Sequence, residues 1–216
     1  DLLPTTSAPE PSSPDIQSTL SQTTLSATLD LSTVLEASQA IFSEIVLERL
    51  LRKIMRIALV NAGAQRGFLI LNREGKLTVE AAQEIEKEES EDRQSLALEE
   101  CRDLSLPIVH YVYRTGESLI LGDATAEGPF SHDPYVRKNQ VRSVLCTPIV
   151  HQGRLGGILY LENNMTVQAF TPERLELLRL ISTQAAISLE NARLFELATT
   201  DGLTRLYVRR YFHLLL

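Results

Sequence analysis

The chain has 216 residues, 44% of them apolar, and a formal net charge of −7. That is enough for one substantial core with appendages, and it excludes nucleic acid as the main partner, because phosphate backbones call for a basic surface. No apolar run approaches the roughly 20 residues that span a bilayer, and DLLPTTSAPEPSSPD has neither the basic start nor the apolar centre of a signal peptide, so the expected location is cytoplasmic, with no membrane partner.

Residues 1–28 are rich in Ser, Thr and Pro and cannot bury enough apolar area to offset chain entropy, which reads as a flexible linker or a disordered tail. The chain begins with Asp and ends within an apolar run, so it is expected to be cut from a longer protein. From Asp30 to Phe42 apolar residues recur at helical steps. A second helix is expected from about Val46 to Asn61, with the stripe Leu47, Leu50, Leu51, Ile54, Ile57 and Ala58 and a stop at Asn61-Ala62-Gly63.

Gly67 to Leu71 is a continuous apolar run, expected as a strand buried on both faces. Asn72 to Gly75 turns the chain into Leu77 to Ala82, and Glu84 to Asp92 reads as a solvated acidic loop. Pro107 to Arg114 predicts a short helix ended by Thr115-Gly116. Ser118 to Leu121 is a brief strand, followed by a long connection holding a short helix near Pro134 to Asn139.

Arg142 to His151 and Leu155 to Leu161 read as a hairpin around Gln152-Gly153. Gly156 and Gly157 inside it imply close approach of a backbone, a bulge, a ligand, or relief of crowding against a covering helix. Thr171-Pro172-Glu173 opens a helix reaching at least Leu197. Two seams run along it. The first is Leu178, Ile181, Ala185, Ser188, Ala192 and Phe195; the second is Leu177, Leu180, Gln184, Ile187, Asn191 and Leu194. One can pack on the sheet and leave the other for a partner helix; the first, with small residues at its centre, is taken as the seam of a homodimer.

This order predicts an α+β fold, an antiparallel sheet with helices on its faces and a long C-terminal signalling helix. The segments NAGAQRGFLIL, TGESLILGDA, SVLCTPIV, GGILYLEN and FTPERLELLRLISTQAAISLENARL, between Asn61 and Leu194, resemble those of a GAF domain, placed at residues 29–197. TTDGLTRLYVRRYF, Thr199 to Phe212, is similar to the entry of a GGDEF diguanylate cyclase domain, so residues 198–216 are expected to be its truncated start. Arg205 and Val208 stand where that pattern has Gly and Asn.

The resemblance implies a small ligand, a cyclic nucleotide with cAMP before cGMP, controlling a downstream cyclase. Its walls, carried over position by position, would be Gly67, Ala82, Gln83, Ile108, Val109, Phe130, Ser131, Arg137, Val141 and Tyr160. From the residues themselves, Ser131 and Arg137 suit an anion, and Phe130 and Tyr135 could stack on a purine. Asn163 and Phe170 fit the N-K-x-F-x-x-x-D-E pattern of many nucleotide-binding members, but Asn164, Arg174 and Leu175 replace its Lys, Asp and Glu. The alternative is a ligand-free dimerisation and interaction module. No covalent cofactor is expected. His110, His132, His151 and His213 lack the spacing of a metal site, Cys101 and Cys146 are too few for a disulfide framework or a structural zinc site, and no nucleophile–base pair marks this fragment as an enzyme.

Overall fold

A computed structural model describes residues 47–73, 75–85, 95–126 and 128–199. The expected linker, the helix from Asp30 to Phe42, most of the acidic stretch and the GGDEF-like tail beyond Thr199 lie outside the described residues. Helix α1 is Leu47–Ala62, and it buries Leu50, Leu51, Ile54, Met55, Ala58 and Leu59. Their three- and four-residue spacing puts them on one face, as amphipathic packing requires. The helix stops where Gly63 turns left-handed, at φ 67°.

Six strands follow: β1 Arg66–Arg73, β2 Lys76–Glu84, β3 Leu96–Ala97, β4 Leu119–Leu121, β5 Ser143–His151 and β6 Arg154–Asn163. They pair antiparallel in the order β3-β2-β1-β6-β5-β4. The β5–β6 turn places both Gln152 and Gly153 at positive φ, 49° and 74°, the backbone whose twist matches the flanking strands. Gly157 shows why a side chain is excluded at the sheet centre: an added Cβ would lie 2.5 Å from the Ile70 carbonyl oxygen of β1. Of the readings open from sequence, close approach of a backbone holds at Gly157, and a bulge between Ile149 and Val150 lies opposite this stretch.

Two short stretches differ from expectation. β2 runs on to Glu84, so the acidic segment begins inside a strand, where Glu84 sits opposite Arg66 and pairs with it at 3.9 Å. Strand β3 and the 3-10 turn Leu98–Glu100 come after it; their burial of Leu98 and Cys101 comes from tertiary contact, since the local sequence is too short to show a period.

Strand alternation divides the core in two. Leu69, Leu71, Leu145, Ile149, Leu159 and Leu161 face α1 and helix α4, Pro172–Thr199. Phe68, Ile70, Val144, Cys146, Ile158 and Tyr160 face helix α2, Leu106–Thr115, and helix α3, Pro134–Asn139. Pro107 opens α2, and Gly116 ends it at φ 68°. Thr171 Oγ1 accepts the Arg174 amide at the start of α4.

The expected dimer seam is corrected by this packing. Leu178, Ile181, Ala185, Ser188 and Ala192 are all 4% exposed or less, and the apolar ones belong to the domain's own cluster with α1 and the sheet; Phe195, at its end, is 38% exposed. Small residues lie there because α4 approaches α1 and β5 closely. Of the second seam, Leu180 and Leu194 are each 54% exposed, while Leu177 packs against the domain's own core.

Candidate functional site

On the face covered by α2 and α3, the β1–β6 register sets Arg66 opposite Glu162 and Phe68 opposite Tyr160. Phe68 and Tyr160 meet edge to face at 6.0 Å between centroids, and the Arg66 guanidinium lies 5.4 Å over the Phe68 ring. Glu162 is fully buried. A bare carboxylate there would be prohibitive, so it persists only with partners. Arg66 Nη1 reaches Oε1 at 3.3 Å, Tyr160 OH donates to Oε2 at 3.2 Å, and Tyr135 OH lies 3.0 and 3.1 Å from the two oxygens. Arg66 also donates to the Tyr135 hydroxyl at 3.3 Å. Burial pushes the Glu162 carboxyl above its ordinary value, opposed by Arg66, Tyr135 and Tyr160. Burial, with Glu162 beside them, raises both tyrosines.

Tyr135 comes to this network from α3, which its own sequence starts cleanly. Asp133 accepts the Tyr135 amide at 3.0 Å and Pro134 fills the first position. The other Asp133 oxygen accepts Ser105 Oγ, joining the approach to α2 with the start of α3. Val136 fills the apolar cluster behind. Upstream, the Phe130 ring stands edge-on to Tyr111 at 5.8 Å, and Arg137 Nε donates to the Ser131 carbonyl at 3.0 Å.

Most of the residues expected to line a ligand site are therefore neighbours. Ile108, Val109, Val141 and Tyr160 are buried in one cluster, with Ala82, Phe130 and Tyr135 packed against it; Ser131 is buried nearby and Arg137 is exposed. Gly67 and Gln83 are not part of it. An added Cβ on Gly67 would meet Met55, Leu161 and Leu59, so that position faces α1, and Gln83, its direct partner, shares the face. A one-residue difference in strand phase reverses the side, which resemblance by position did not resolve. A cavity of about 580 Å³ lies elsewhere, lined by Gly116–Ser118, Pro148, Val150, Arg179, Ser182 and Thr183.

Sequence reasoning passed over Arg66, Glu162 and Ser143. A signal was present in ILYLEN, where a carboxylate interrupts an apolar strand. Ser143 joins three segments: its hydroxyl lies 2.9 Å from the carbonyls of both Gly122 and Thr166 and accepts the Ala169 amide at 3.1 Å. Asn163 secures the neighbouring corner through Gly63, Met165 and Thr166. Arg174, replacing the Asp of the nucleotide-binding pattern, donates to the Ala62 carbonyl at 2.8 Å, a cation on the negative end of α1. Among the described residues no group of His, Cys, Asp and Glu could hold a metal ion, and no described helix is long and apolar enough to cross a membrane.

The GAF domain family model matches residues 46–189. A Dictyostelium discoideum protein, hybrid signal transduction histidine kinase G, is 50% identical over 93 residues, 43% of this chain and 3% of that protein; the chain thus matches only a small part of its length. The GAF domain of an Acinetobacter phosphoenolpyruvate-protein phosphotransferase superposes with a TM-score of 0.61 at 20% identity, covering 77% of this chain and 95% of that one. Free methionine-R-sulfoxide reductase from Neisseria meningitidis, solved with its substrate, gives 0.59 at 14% identity over 79% and 93%. At these identities the likeness of the solved structures concerns the fold.

Proposed function

This chain belongs to the GAF domain family, and from that membership we propose that it is a regulatory, non-catalytic domain of a signal-transduction protein, passing changes in its α2–α3 layer outward along α4. The observation that carries the reading is the division of α4 into two faces. The inner face completes the domain core, while the second seam repeats Leu177, Leu180, Gln184, Ile187, Asn191 and Leu194 at alternating steps of three and four, half-buried at Leu177, Gln184 and Ile187 and exposed at Leu180, Asn191 and Leu194. That is the period of a parallel coiled coil, and polar residues such as Gln184 and Asn191 at one class of seam position fix register and two-strandedness. The proposed partner is a second copy, joined along this outer seam.

The route from the candidate site to α4 is short. α3 ends at Asn139 with Gln140 as its cap, β5 begins at Ser143, and the Ser143 hydroxyl holds Ala169 just ahead of α4. The similarity of the tail to a GGDEF entry supports a diguanylate cyclase as the output, and the kinase relative supports a role in signalling. The proposed ligand is a cyclic nucleotide, cAMP before cGMP, favoured by Phe130, Ser131, Tyr135 and Arg137 lying together on one layer. It would enter between α3 and the sheet.

Light scattering tests the dimer. Leu180→Glu with Leu194→Glu places like charges opposite themselves, and a folded monomer is expected; an unchanged dimer would refute the outer seam. Calorimetric titration with cAMP and cGMP tests the ligand, and no heat or melting shift at millimolar concentration would remove the cyclic nucleotide from the reading.

A further inference from the structure

In the buried network, Arg66, Tyr160 and Glu162 stand on the adjacent strands β1 and β6, Tyr135 is the side chain that comes from α3, and the Ser105 backbone ahead of α2 also meets the Tyr160 hydroxyl. We infer that Tyr135 is a latch: its hydroxyl on Glu162 holds α3 closed over the sheet, and loss of that bond lets α3 lift as a unit.

Three features argue for a releasable contact rather than a fixed strut. Opening leaves Glu162 with Arg66 and Tyr160, so no carboxylate is stranded without partners, which is what makes breaking a buried pair so costly elsewhere. The Tyr135–Glu162 distances of 3.0 and 3.1 Å exceed the roughly 2.5 to 2.7 Å of a tight hydroxyl–carboxylate bond. The chain also has turning points on both sides of α3. Gly128, before the Pro129–His132 turn, sits at φ 60°, and Gln140, at the helix end, is left-handed at φ 51°, an uncommon state for a residue with a side chain and a place where a small backbone rotation can be absorbed. From Gln140 the chain passes directly to Ser143, so lifting α3 pulls on the hydroxyl that holds the entry to α4.

The inference rests on the fold alone and stands or falls separately from any ligand. Hydrogen exchange of the whole chain tests it through the Val141 and Arg142 amides, which donate to the Val136 carbonyl across the Gln140 turning point and to the Asn163 carbonyl of β6. Tyr135→Phe keeps the ring and removes the hydroxyl; loss of a bond to a charged group should speed exchange at these amides by about tenfold or more, relative to amides in α1 and β1 of the same molecule. Glu162→Gln should shift the ratio in the same direction. Lys138→Gln, on the exposed side of the same helix, should leave it unchanged. An unchanged ratio in Tyr135→Phe would overturn the latch and leave α3 held by Val136 and the Ser105–Asp133 bond. Because the readout is internal, a general loss of stability in either variant does not imitate the result.

Discussion

Replacing Gly157 by Ala asks whether the sheet centre is held by backbone contact. The new Cβ would lie 2.5 Å from the Ile70 carbonyl oxygen and 3.1 Å from Leu71 Cδ2. A carbonyl in a ladder cannot rotate away as a side-chain tip can, so β1 and β6 must part by at least about half an ångström, enough to stretch ladder bonds of about 2.9 Å past their usual range. Overpacking costs about 1 to 3 kcal/mol, and weakening one or two ladder bonds adds about 1 kcal/mol each. The less flexible unfolded chain returns about 0.4 to 1 kcal/mol, which leaves a net loss of about 1 to 4.5 kcal/mol. Gly156 is the internal control, because its nearest obstacle is the Ile149 carbonyl at 3.6 Å; Gly156→Ala should fall within about 1 kcal/mol of the parent. Urea unfolding with unchanged slope measures both. Equal stability of the two variants would refute the close-approach argument and return the glycines to the other readings.

Ala185→Glu should unfold or destabilise the domain by more than about 3 kcal/mol rather than merely separate a dimer, because Ala185 is fully buried against its own core; a folded, stable variant would restore the inner seam as an interface. Burial holds the Glu162 carboxyl above its ordinary 4.5, so its contribution to stability is fully present below about that pH and declines as pH rises through the raised value. The stability difference between the parent and Glu162→Gln, followed by urea unfolding from pH 4 to 8, should therefore fall with pH, and a rise would mean that the Arg66 pair dominates. Arg174→Ala should cost about 1 kcal/mol in thermal or urea unfolding through the lost bond to the end of α1. Both cysteines are buried and the Cys146 thiol is driven well up by desolvation, so a thiol reagent should label neither before unfolding.

The sequence by itself determined the elements whose information is local and repeated. The α1 stripe, the Pro starts and Gly ends of helices, the Gln152-Gly153 turn and the five GAF-like segments all depend on neighbours a few residues apart. Ile108, Val109, Val141 and Tyr160 were grouped by the resemblance and by no local pattern, and the fold buries all four in one cluster. What only the tertiary structure decided was which side each residue faces and what it meets there. The phase of β1 turned Gly67 and Gln83 toward α1, and the closeness of α4 to α1 and β5 buried the seam of Ala185 that its small residues had recommended for a partner. Glu162 shows the same limit most clearly. Two of its partners, Tyr135 and Arg66, lie 27 and 96 positions away, and no local pattern records a hydrogen bond that exists only because two strands and a short helix converge.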